Sequence, residues 1–429
     1  MAETQKAERF IELEGLRGIA AIIVAFYHYL IAFYAFAFFS NGTTMATGPN
    51  TWFEPIVHGN PLMALVSGSF AVSLFFVLSG FVLSIGFFQT GKEHIIKKLA
   101  AKRYIRLMLP ALASVMLCYV LIKLGLSHTQ EAALTTNSGW LGVQWNFAPH
   151  LLEAIFNGMW GIFTTSQSAY NNVLWTMTIE FAGSFLVFGA LLIFGRSKHR
   201  LVLYTSLLAI TINTWFLGFI FGMMLADLYA SGTLQQKVRD MRIVVLLIAL
   251  GILFGGYPFA GTQGTIYEYM TVPQWVGTVN FTSLYTLIGA AIIVGVVIGS
   301  TQVANVLAKK TVSRLGKYTF SLYLVHLPVL FTFTTFCFVH LQHHMGYNKA
   351  VLLSLLASAP VVAGLAYLFE RYVDSPSIRL SNYFAAFYMG TRKSERLLRL
   401  VPANIKSRLA AKFQNRIPFT NTIDQDITE

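Results

Sequence analysis

The 429-residue chain is short of charge: Asp, Glu, Lys and Arg together make up 11% of it. An ordinary soluble domain carries roughly 25%, so a water-solvated globule is excluded. Cysteine is scarce as well. Cys118 and Cys337 both sit inside apolar runs, which reads them as core or lipid-facing residues rather than as a disulfide or metal site. Alternating strands of the barrel type, internal repeats and low-complexity tracts are missing, which argues against a membrane β-barrel. No small-residue cleavage site follows the polar opening MAETQKAERFIELEG, so a cleaved signal peptide is not expected. Apolar residues, by contrast, are 55% of the chain, and they recur in runs of about 20, the length that crosses a bilayer core. In lipid every backbone group must find its partner within the protein. The expected fold class is therefore an all-α polytopic membrane protein.

Spans are expected near 15–39, 62–88, 105–125, 173–195, 243–258, 281–300, 318–340 and 350–371. Residues 201–230, broken by TINT, read as a tight two-crossing hairpin. The net charge of +13 could suggest nucleic acid, but the Lys and Arg residues fall in short loops and the C-terminal tail. That is the positive-inside pattern, and no nucleic-acid partner is expected. GKEHIIKKLAAKRYIR, RSKHR, KVRDMR and KKTVSRLGK should be cytoplasmic, whereas 40–61 and 259–280 contain no Lys or Arg and should face outside. The scheme closes at about ten transmembrane helices with both termini cytoplasmic, if 126–172 stays outside with 150–163 dipping in or lying on the surface. Residues 1–375 form the transmembrane domain. Residues 376–429 form a basic cytoplasmic tail, in which SERLLRLVPANIKSRLAAKF alternates basic and aliphatic residues, as an interfacial amphipathic helix does or as a solvated tail can. Asn41-Gly-Thr43 matches a glycosylation acceptor in an external loop.

Ionisable residues inside spans are rare and usually face a cavity or a partner. RGIAAIIVAFYH holds Arg17 and His28 eleven positions apart, three turns, so both point to similar sides of one helix. Arg17 is expected at the cytoplasmic mouth and His28 about 16 Å further in, near mid-membrane. A neutral histidine is a suitable general base; a histidine hydrogen-bonded to a neighbouring helix is the structural alternative. Arg103 and Arg106 in KRYIRLMLP are i,i+3 neighbours whose guanidinium forks suit phosphates, although plain positive-inside charge accounts for them equally. Glu180 in LWTMTIEF is expected about two turns below the outer surface, where a carboxylate orients a histidine, binds a hydroxyl-bearing substrate, or simply forms an ion pair. His326 in RLGKYTFSLYLVHLPVL lies roughly 13 Å from cytoplasmic Lys317, at a level similar to His28, beside a helix-kinking Pro328. Ser79–Gly80 in FFVLSGF and the Gly218/Gly222 pair permit close packing or close ligand approach.

As a set, ELEGLRGIAAIIVAFYH, FFVLSGF, KRYIRLMLP, LWTMTIEF, FLGFIFG and LGKYTFSLYLVHLPV, followed by FERYVDSP, resemble the acyltransferase-3 family of membrane-bound O-acyltransferases. The resemblance spans roughly residues 12–376 in the family's order. It implies a ten-helix domain taking an acyl group, most often acetyl, from cytoplasmic acyl-CoA as co-substrate, with no metal. The acceptor it implies is a hydroxyl of an extracytoplasmic glycan or glycolipid, at the plasma (inner) membrane. Carried over by residue, His28 is the catalytic histidine, with Glu180 and His326 on further motif positions. Arg17, Arg103, Arg106 and Ser79 belong to the donor side.

Two features depart from the family. Many members carry a fused hydrolase-like domain after the membrane part, and here only a tail expected to be cytoplasmic follows. The last motif reads DSP where relatives often have an acidic residue, then Lys or Arg, then Pro; Asp374 is left out of the expected site on that account. The alternative function is a proton-coupled secondary transporter, since intramembrane His and Glu also build proton relays. The lack of an inverted repeat and the arginine pair at a cytoplasmic mouth count against it. A flippase or assembly factor for surface polysaccharide would share the glycan partner and lack the acylated product.

Overall fold

A computed structural model describes residues 10–39, 44–270 and 280–390. Ten helices in chain order carry it: α1 (Ile11–Phe33), α2 (Gly68–Thr90), α3 (Glu93–Lys123), α4 (Asn172–Phe194), α5 (Arg200–Thr211), α6 (Phe216–Ala230), α7 (Met241–Gly255), α8 (Phe281–Gly299), α9 (Lys310–Leu341) and α10 (Tyr347–Tyr388). Seven are long and apolar enough to cross a membrane; α5, α6 and α7 are shorter apolar helices. α5 and α6 form the tight hairpin that TINT suggested. No named strand occurs among the described residues, and the chain is an all-α polytopic membrane protein.

Several boundaries differ from expectation for local reasons. α1 starts at Ile11 and ends at Phe33, after which the chain breaks at Tyr34 before a short turn of helix, Phe36–Phe39. His28 is therefore five residues from the C-terminal end of its helix, about 8 Å. α3 begins at Glu93 inside the basic linker, because Lys, Ala, Leu and Arg are good helix formers. α10 continues past Phe369 through a π-helical turn, Glu370–Asp374, into Ser375–Tyr388. The basic–aliphatic stretch 394–413 and the Asn41 acceptor lie outside the described residues.

α2 is the most enclosed helix, with Phe76, Val77, Leu78 and Phe81 all at 1% exposure or less. Ser67 caps its start, accepting from the Phe70 N–H at 3.2 Å, and Gly91 ends it in the left-handed region at φ 67°. Its closest neighbour is α6. A Cβ on Gly80 would stand 2.2 Å from the Phe219 carbonyl oxygen, and one on Gly222 2.1 Å from that of Val77. Only glycines allow these backbones to approach so closely, which gives the GxxxG spacing its packing role.

Two segments cover the C-terminal end of α1. Ser138 donates to the Ile31 carbonyl at 2.7 Å, Asn137 to Asn50 Oδ1 at 2.8 Å, and Asn50 to the Tyr347 hydroxyl at 3.1 Å. Glu54, fully buried in this cap, accepts from Asn50 N, Thr51 N and the Thr51 hydroxyl. Burial pushes its carboxyl above the usual range while these bonds pull it back. Residues 151–164 run beside α3 and reach Tyr104, whose hydroxyl donates to the Met159 carbonyl at 2.7 Å. The chain then returns to Tyr170, bonded to His150, before α4 begins, so this segment dips alongside the bundle.

Candidate functional site

α1 and α9 meet at their histidines. His326 Nε2 lies 3.1 Å from His28 Nδ1 although 298 residues separate them in sequence. The protonation pattern follows from two carbonyls, which can only accept. His326 Nδ1 is 3.0 Å from the Leu322 oxygen and His28 Nδ1 is 2.8 Å from that of Val24, so each Nδ1 carries the hydrogen. In the neutral pair His326 Nε2 is then bare and shares the His28 Nδ1–H. That leaves His28 Nε2 with a free lone pair. His326 is fully buried and His28 partly so. The Trp140 ring of that cap over the end of α1 lies 5.6 Å from the His28 ring, and Tyr27 packs on it edgewise at 5.3 Å.

A cavity of about 580 Å³ opens at the other side of Tyr323, a volume within the range of small-molecule sites. Its lining includes Arg17, Ser79, Arg103, Arg106 and Glu180 of the expected site, but neither histidine. Its inner end is apolar, formed by Val72, Phe75, Phe76, Met177 and Tyr323, and its mouth is charged. Four cations line it, Arg17, Arg103, Arg106 and Lys317, and so do four carboxylates, Glu14, Glu180, Glu370 and Asp374. They pair one to one. Arg17 is 3.7 Å from Glu14, Arg106 is 2.5 Å from Asp374, Lys317 is 3.2 Å from Glu370, and Arg103 pairs directly with Glu180. Two polar atoms of the lining, Arg103 Nε and the Thr319 hydroxyl, are buried with no partner.

The structure thus splits the expected residues into two groups. His28 and His326 form one. Glu180 joins the other, accepting from Ser79 at 2.6 Å and from Arg103, so of the three expectations for it the ion pair is the one present, and it meets no histidine. The reason is depth: Ser79 is eleven residues from either end of α2, and the dip before α4 lets Glu180 start that far down. Asp374, set aside on its motif, lines the cavity and pairs with Arg106, because α10 stays helical through it. Phe75 and Tyr323 were hidden in plain apolar motifs that carry no chemical signal of a cavity wall.

No curated protein and no solved structure matches the chain. The family model described as an acyltransferase domain, that of the acyltransferase-3 family, matches residues 10–371, nearly all the described residues. On that match, with the helical membrane fold already in view, the chain belongs to the acyltransferase-3 family of membrane acyltransferases.

Proposed function

We propose that this acyltransferase moves an acyl group, acetyl in the first instance, from cytoplasmic acyl-CoA to a hydroxyl of an extracytoplasmic glycan or glycolipid. The observation that carries the reading is the histidine pair, whose hydrogen bonds leave His28 Nε2 as the bare nitrogen. An acceptor hydroxyl is a weak nucleophile until a base takes its proton. His28 Nε2 takes it as the hydroxyl oxygen attacks the thioester carbonyl. The new C–O ester bond forms, the C–S bond breaks, and the proton passes from His28 to the leaving thiolate, releasing CoA as the thiol. His326 steadies the developing imidazolium by accepting the Nδ1–H, a positioning role. General base catalysis of this kind is worth roughly 10²–10⁴-fold.

The donor enters at the charged mouth, where Arg17, Arg103, Arg106 and Lys317 meet its phosphates and the thin pantetheine arm follows the apolar wall inward. Arg17 and His28 are about 16 Å apart along α1, which separates phosphates from thioester. Acceptors reach His28 from the side covered by Trp140. The plasma membrane is the compartment that suits a cytoplasmic donor and an external glycan.

The test is transfer by purified protein in lipid nanodiscs, with free-thiol release from acetyl-CoA and mass spectrometry of the acceptor. His28→Ala should abolish transfer and keep CoA binding within about threefold. Full transfer by that variant would remove His28 from the mechanism, and the absence of any CoA binding by the unsubstituted protein would favour the transporter reading.

A further inference from the structure

Neither histidine lines the cavity, and Tyr323 is the ring that touches both the cavity and the histidine pair. Tyr323 lines the cavity with one side, while its ring centre is 6.1 Å from that of His326. It is fixed in place. Its hydroxyl donates to the Val173 carbonyl at 2.7 Å and lies 2.8 Å from the Thr176 hydroxyl, and the residue is 6% exposed. Phe75 stands edge-on to it, ring centres 6.2 Å apart at 76°. Unlike Tyr323, Phe75 has no polar tether, is only partly buried, and faces the cavity. Its neighbour Phe76 is a contrast within the same helix, 1% exposed and held between Trp215 and Phe219.

We propose that Phe75 is the gate between the donor cavity and the histidine pair, and that its ring sets the length of acyl chain the protein transfers. The inference deepens the acyl-CoA reading above and rests on it. A helical phenylalanine has two accessible χ1 wells. In the observed one the ring meets Tyr323 and the cavity ends there. In the other it withdraws, and the thioester can pass along Tyr323 to His28. A two-carbon acyl group clears the gap that this rotation opens. Each further methylene must share the space with the Phe75 ring, and an apolar wall discriminates by about 10–200-fold per methylene that it fails to fit.

The test measures kcat/KM for acetyl-, butyryl- and octanoyl-CoA in nanodiscs, with binding of CoA itself by calorimetry as an independent readout. Phe75→Ala is expected to raise the octanoyl-to-acetyl ratio of kcat/KM at least tenfold, with the Kd for CoA unchanged within threefold. Phe75→Leu, which keeps most of the apolar volume and guards against a folding defect in the alanine variant, should raise it by a smaller factor. Phe75→Trp should lower transfer of all three donors at least tenfold with CoA still bound. An unchanged chain-length profile in Phe75→Leu and Phe75→Ala would overturn the gate. If the unsubstituted protein bound no CoA, the fault would lie in the acyl-CoA reading, and the chain-length series would not be needed to show it.

Discussion

Asp374→Asn is the substitution whose outcome the site geometry constrains most. Asp374 Oδ1 lies 2.5 Å from Arg106 Nη1, and the side chains are 6% and 28% exposed. Asparagine keeps the shape and one acceptor but removes the charge with which a donor phosphate must compete. With charge centres about 4 Å apart and an effective dielectric of about 20, the pair attracts by about 4 kcal/mol. Arg106 is solvent-accessible on one side, and pairs of that kind retain at most about a quarter to a half of such a figure, about 1–2 kcal/mol. The variant should therefore bind CoA roughly 5–30-fold more tightly. The assay is calorimetric titration of CoA into nanodisc-embedded protein at several salt concentrations, with melting temperature as a check on folding. The gain should shrink as salt rises, since screening weakens the competing pair. Weaker binding of CoA by a folded Asp374→Asn protein would refute the reasoning, because Asp374 would then be holding Arg106 in its binding position rather than occupying it.

Three further outcomes follow from other parts of the molecule. His326→Leu removes the acceptor for the His28 Nδ1–H and should lower kcat about 10²-fold, the scale of a small misplacement, with donor KM unchanged; His326→Gln should recover part of the loss and shift the pH profile. Gly222→Val places a side chain where a Cβ already stands 2.1 Å from the Val77 oxygen; α2 and α6 must separate, at a cost of about 1–3 kcal/mol or more, read as a lower melting temperature. Glu54 is held above the usual carboxyl range by burial, so its contribution to stability is complete below its unfolded pKa and is lost as pH rises through the raised folded value. The melting temperature should fall as pH rises above the ordinary carboxyl range, and Glu54→Gln should flatten that dependence; an equal slope in both proteins would show that Glu54 does not titrate there.

Much of the architecture could be read along the chain because lipid imposes local rules. A helix in a bilayer satisfies its own backbone, so each apolar run announces itself, and the loops at 40–61 and 259–280, which hold no Lys or Arg, carried the expected orientation. Arg17 and His28 shared a helix by counting alone. The GxxxG of α6 was legible as a packing signal, and its partner Gly80 stood in a motif already noticed. Less legible were helix ends: α1 stops at Phe33 where an unbroken apolar sequence runs on, and α10 runs past the expected end of its span at 371 to Tyr388, inside the stretch expected to be tail.

The sequence by itself determined a helical membrane protein with ionisable residues at given heights on given helices, because helical rise and apolar length are properties of one segment at a time. Which of those residues meet was decided only by tertiary structure. His28 found His326 rather than Glu180, Glu180 found Arg103 and Ser79, and Arg106 found the Asp374 that its motif had argued against. These contacts join positions from 77 to 298 residues apart, and they depend on helix rotation and on the dip before α4, which no spacing within a single run encodes. A lone ionisable group in lipid demands a partner; packing chooses which one, and here it gathered the two histidines into one group and the arginine–carboxylate pairs into another, with Tyr323 touching both.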